Sequence, residues 1–189
     1  MSNFVYHSSP KQGLDIIYPC ESTHQKSFVY GSFDIDITSI FLSSRGGDFV
    51  CSIGRDIVSY KPFICERFEG AFEYRYLETS GSIYILPSHL FEKNKTAWDE
   101  EFVSTTPISP LSEIKIYNIR KWVLDLEQCK KITIERFPKR NKSIPDDDND
   151  LIQRAVIWTE QFGNQVLDEF QLFHPNLLSE VKSILNISN

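Results

Sequence analysis

Apolar segments in the first 138 residues are short, and turn-forming residues cut off nearly every one. Residues 4–6 run apolar into His7 and stop at Pro10. Residues 14–18 stop at Pro19, and residues 82–86 follow Gly81 and stop at Pro87. Proline neither donates to a strand ladder nor continues a helix, and glycine admits the backbone angles of tight turns. Segments of this length fit strands better than long helices. The 14 Phe and 8 Tyr strengthen that reading, because aromatic side chains suit a pleated, half-buried surface. Residues 71–77 alternate, with Phe72, Tyr74 and Tyr76 on one face. With a turn at 78–81 they predict a hairpin to residues 82–86. Residues 101–104, 113–117 and 131–137 also read as strands.

Helical signals are fewer in this region. Asp34 and Asp36 are N-cap candidates for a short helix through Ile40, Phe41 and Leu42. Ser88 can cap a helical turn through Phe91. Residues 119–126 place Trp122, Val123 and Leu126 on one side of a helix. Residues 48–60 fit helix and strand equally well. The expected class is therefore α+β with six or more short strands.

The C-terminal third reads differently. Residues 139–150 form a hydrophilic linker, a basic patch running into Asp146, Asp147, Asp148 and Asp150. A calcium loop needs ligands at alternate positions and a glycine at its sharp turn, and both are missing, so no metal site is expected. Acidic residues at a helix start favour its dipole, which is the simpler role for this tract. Residues 151–173 are amphipathic, with a candidate interruption at Gly163. His174, before Pro175, reads as the start of a last helix over 177–187. The expected organisation is an α+β domain over 1–138, a linker over 139–150 and a helical extension over 151–189 packing on the domain.

Composition narrows the function. The net charge is -6, and the basic clusters are only Lys130-Lys131 and 139–142. Nucleic-acid binding needs a clustered basic face, so a protein is the more natural macromolecular partner. No run of 18 apolar residues and no basic-then-apolar leader occurs, so no membrane association is expected. Cys20, Cys51, Cys65 and Cys129 have no zinc-ligand spacing, and free thiols fit a cytoplasmic protein. Dinucleotide, P-loop, zinc-protease and nucleophile-elbow motifs are absent. A cysteine nucleophile paired with His24, His89 or His174 has no local signature, and His89 reads as a turn residue.

Three frames stand out. They are Phe4-Val5-Tyr6-His7-Ser8-Ser9-Pro10, Phe28-Val29-Tyr30-Gly31-Ser32-Phe33-Asp34 and Asp99-Glu100-Glu101-Phe102-Val103-Ser104. Each is a short strand carrying one polar or aromatic residue suited to a cleft. In this order they resemble the frames of the poly(ADP-ribose) polymerase-like ADP-ribosyltransferases, the His-Tyr-Glu class. The resemblance covers roughly the first two-thirds of the chain. It implies a split, bent, mostly antiparallel β-sheet with short helices that grips nicotinamide adenine dinucleotide (NAD), and it leaves the C-terminal helices outside.

By motif, the resemblance implies that His7 hydrogen-bonds the adenosine-side ribose and Ser9 contacts the nicotinamide ribose or carboxamide. Ser8 stands where the family carries glycine, so its backbone would have to clamp the carboxamide. Tyr30 would stack on the nicotinamide ring. Glu101 would bind the ribose 2'-hydroxyl and stabilise the sugar cation left by nicotinamide. Elementary chemistry agrees: a fixed carboxylate stabilises a developing cation, and an aromatic face suits a cationic ring. A histidine can donate to a ribose hydroxyl while accepting from a neighbour. Glu100 leaves the register open, and Glu101 is preferred because Phe102 follows it directly.

The resemblance implies an NAD-dependent mono-ADP-ribosyltransferase with an unknown acceptor. The alternatives are a catalytically inactive interaction module of the same fold and an NAD glycohydrolase. An NAD-dependent phosphate-removing enzyme acting on RNA is disfavoured by the negative charge.

Overall fold

The computed structural model describes residues 3–21, 26–93, 95–96 and 98–187, so His24 lies outside the described residues. In chain order the elements begin with β1 (Phe4–Ser9), β2 (Cys20–Glu21), β3 (Ser27–Gly31), α1 (Ile35–Ile40), α2 (Gly47–Val50) and β4 (Cys51–Arg55). Next come β5 (Pro62–Glu66), α3 (Ala71–Tyr76), β6 (Gly81–Pro87), a 3-10 turn (Ser88–Leu90), β7 (Phe102–Ser104) and β8 (Ser112–Ile116). The last are α4 (Ile119–Gln128), β9 (Thr133–Glu135), α5 (Asn149–Phe162), α6 (Gln165–Phe173) and α7 (Leu178–Ile184). The class is mixed α+β, with three small and mostly antiparallel sheets.

The chain forms two compact units. Unit 1 comprises residues 1–44 and 76–132, and unit 2 comprises residues 45–75 and 133–189. This division cuts across the boundaries read from the sequence. The helices of residues 151–187 share unit 2 with residues 45–75 and do not stand as a separate extension.

Unit 1 holds two antiparallel sheets, β1-β6-β8 and β2-β3-β7. β1 pairs with β6 along its whole length, from Phe4↔Pro87 to Ser9↔Ser82. β3 pairs with β7 through Val29↔Ser104, Tyr30↔Val103 and Gly31↔Phe102. A bridge joins the sheets: Tyr6 N donates to Ser32 O at 2.8 Å, and Ser32 N donates to Tyr6 O at 2.9 Å. Ile17, Val29, Tyr84, Leu86 and Ile108 pack as one buried cluster beneath these strands. Asp34 caps α1 as expected, its carboxylate accepting from Asp36 N and Ile37 N. Asn118 caps α4 by accepting from Lys121 N at 2.8 Å.

Unit 2 pairs β5 antiparallel with β4 and parallel with β9. Its larger core gathers Phe49 with Leu151, Ile152, Ala155, Val156, Leu167, Phe170 and Val181. The ambiguous stretch 48–60 resolves into α2, β4 and a turn. In that turn Asp56 Oδ1 accepts from Val58 N, Ser59 N and Ser59 Oγ. Hydrogen bonds from the Ser59 backbone and hydroxyl lead in bringing the Asp56 carboxyl down to about 2.

Two local expectations are corrected. Residues 71–77 are not a strand, because Ala71–Tyr76 is helical. Ala71, Phe72, Arg75 and Tyr76 are buried and Tyr74 is exposed, a helical spacing hidden by the arginine among the inward residues. The buried Glu66 carboxylate supports this segment by accepting from Phe72 N at 2.7 Å and from Phe137 N at 2.9 Å. His174 ends α6 and does not start the next helix; its ring is buried and Nε2 donates to Phe49 O at 2.6 Å.

The acidic tract does more than favour a dipole. The Arg67 side chain, 0% exposed, gives Nη1 to Asp150 Oδ2 at 2.7 Å and Nη2 to Asp148 Oδ1 at 2.8 Å. It also donates to Ser52 Oγ at 2.9 Å. Arg140 reaches the same Asp148 at 2.7 Å. Asn141, buried, ties residues 139–150 further by donating to Asp56 Oδ2 and Glu135 Oε1, both at 3.3 Å.

Candidate functional site

Unit 1 contains a cavity of about 390 Å³ whose wall brings together the three sequence frames. His7 and Ser8 come from β1, Tyr30 and Gly31 from β3, and Glu100 and Glu101 from the residues just before β7. The volume falls within the range of small-molecule sites.

Backbone geometry explains the convergence. Gly31 lies against β1: a Cβ there would strike Val5 Cγ1 and come within 2.9 Å of Tyr6 O. A residue without Cβ lets the two strands close to this distance. His7 Nδ1 then reaches Tyr30 O at 2.7 Å. Because Gly31 pairs with Phe102, Glu101 sits one residue beyond that pair, at the same end of the cavity wall.

The hydrogen bond fixes the chemistry of His7. A carbonyl oxygen only accepts, so Nδ1 carries the proton and donates. Burial pushes the imidazole below its ordinary 6.5, a shift opposed by the bond to Tyr30. The ring is thus neutral near pH 7, and Nε2 is an acceptor. The Nδ1 donor is thus spent on the protein.

Burial likewise pushes His174 below 6.5, opposed by its bond to Phe49. For a base with a lowered folded value, the unfolded chain takes up the proton first. Stability is therefore full above 6.5 and declines as pH falls below it, until the folded rings also protonate. Each histidine contributes a slope of up to ~1.4 kcal/mol per pH unit in that window. Urea unfolding should shift to lower midpoints between about pH 7.5 and about pH 5.5, and His174→Asn should flatten the trend. A midpoint that stays constant over this range would contradict both assignments.

Four of the five expected ligand-contacting residues line the cavity: His7, Ser8, Tyr30 and Glu101. Ser9 does not. It is buried, and its hydroxyl accepts from Lys11 N at 3.1 Å, closing the bend after β1. Tyr30 meets Phe28 edge-on at 5.8 Å, which gives its ring a defined support.

Phe41, Trp98 and Cys20 also line the cavity and were not singled out by sequence reasoning. The available signal for Trp98 was an aromatic residue directly before the acidic frame. Among the described residues, no group of three His, Cys, Asp or Glu side chains gathers as a metal-ligand set. All four cysteines are free. No helix among the described residues is long and apolar enough to cross a membrane. Unit 2 has a smaller polar cavity of about 290 Å³, where Arg154 pairs with Asp48 at 3.0 Å.

Comparison of the chain with protein-family models, with curated proteins and with solved structures finds no match.

Proposed function

We propose that the cleft of unit 1 binds NAD and that the chain is an ADP-ribosyltransferase-like protein of the His-Tyr-Glu class, acting by mono-transfer. The observation that carries this reading is the convergence of His7, Tyr30 and Glu101 on one cavity from three frames far apart in sequence. Two antiparallel sheets joined by the Tyr6–Ser32 bridge are compatible with the split, bent sheet that the resemblance implies.

In this reading Tyr30 stacks on the nicotinamide ring and His7 Nε2 accepts from a ribose hydroxyl. The ribose–nicotinamide C–N bond breaks, and its electron pair leaves with nicotinamide. The Glu101 carboxylate stabilises the positive charge left on the sugar through electrostatic preorganisation. An acceptor nucleophile then forms the new bond to the same carbon and gives up its proton. Water in that place makes the protein an NAD glycohydrolase. A protein acceptor fits the net charge of -6 better than a nucleic acid does.

Calorimetric titration with NAD tests the reading. Binding is expected in the wild type and is expected to weaken by about 2- to 30-fold in Tyr30→Ala, the span of a lost ring–cation contact. Absence of binding at millimolar NAD would overturn it. Binding without nicotinamide release from any acceptor mixture would identify the inactive module.

A further inference from the structure

We propose that Trp98 is a specificity-determining residue of the cleft, whose indole face joins Tyr30 in taking the positively charged nicotinamide ring and helps select oxidised over reduced dinucleotide. The inference rests on the reading of the cleft as an NAD site.

Trp122 donates its indole N–H to Ser39 Oγ at 3.0 Å, and Trp158 packs on Phe49 in unit 2 at 5.1 Å. Of the three tryptophans, Trp98 is the one on the cavity wall. It is half-buried, and Phe41 supports it edge-on at 5.4 Å with the rings 65° apart. A ring braced in this way loses little freedom when a ligand stacks on it.

The second observation links the indole to the acidic frame. Glu101 N donates to Trp98 O at 3.1 Å, closing a four-residue turn. One turn therefore delivers an aromatic ring and a carboxylate to the same cavity. Tryptophan is the strongest aromatic partner for a cation, and the contact strengthens when water is excluded. Oxidised NAD carries a pyridinium ring at this end, whereas the ring of NADH is neutral. Adenine, both riboses and the pyrophosphate are common to both, so the ratio of the two affinities isolates the ring charge.

The test is calorimetric titration of the full chain with NAD and, separately, with NADH. The wild type is expected to prefer NAD. Trp98→Ala should weaken NAD by about 2- to 30-fold, leave NADH nearly unchanged and so narrow the preference by that factor. Trp98→Phe, which keeps a ring on the wall, should fall between the two and guards against a misfolded alanine variant. Equal weakening of both ligands, or no change in either, would overturn the role of Trp98 while leaving the NAD reading intact. A wild type that binds neither ligand would overturn both.

Discussion

Arg67→Ala is expected to destabilise unit 2 by about 3–5 kcal/mol, the usual cost of removing one partner from a buried ionic cluster. The guanidinium is 0% exposed and serves both Asp148 and Asp150, which are about a quarter exposed. Its loss leaves two neighbouring carboxylates and Ser52 without their common donor. The cluster also joins the two chain segments of unit 2, because Arg67 lies in residues 45–75 and both aspartates in residues 133–189. Burial alone would raise the Asp148 carboxyl. Hydrogen bonds from Arg140 and Arg67, reinforced by their charges, bring it below its ordinary 3.8 instead. That contribution is full above 3.8 and is lost as pH falls through the lower folded value. Urea unfolding read by far-ultraviolet circular dichroism measures the effect, and Trp158 emission reports on the unit 2 core. A change under about 0.5 kcal/mol, the scatter of ordinary surface substitutions, would show that the cluster is not structural.

Glu101→Gln is expected to lower the rate of nicotinamide release by about 10²- to 10³-fold, the typical effect of deleting one preorganised electrostatic partner. The amide keeps the shape and loses the charge that opposes the sugar cation. NAD affinity should change by only a few-fold, because that charge acts chiefly on the transition state. Glu100→Gln supplies the contrast, since both residues line the cavity. A rate that survives Glu101→Gln and collapses in Glu100→Gln would move the role one residue upstream. A rate indifferent to both would remove the acidic frame from the chemistry.

Local chemistry was legible where a residue's role is settled by near neighbours in sequence. The Asp34 cap is one example, and the break between α5 and α6 at Gly163, where φ is +92°, is another. The α+β class followed from the short, punctuated strands. The helix Ala71–Tyr76 was not legible, because Phe72, Tyr74 and Tyr76 imitate a strand while the true inward face includes Arg75. Ser9 shows the same limit within the candidate site: its hydroxyl accepts from Lys11 N, and the residue lies off the cavity wall.

The sequence by itself determined the class, most strand and helix positions, and the three frames that carry His7, Tyr30 and Glu101. Only the tertiary structure decided that four of the five expected residues share one cavity, that Trp98 and Phe41 stand on its wall, and that the His7 Nδ1 donor is held by Tyr30 O. It also decided that residues 45–75 build unit 2 with the C-terminal helices, tied by Arg67. The physical reason is range. Caps, turns and periodicity depend on residues within one or two turns of each other. A cavity wall, a tautomer or a buried ion pair depends on partners brought together by long-range strand pairing and packing, which local pattern does not encode.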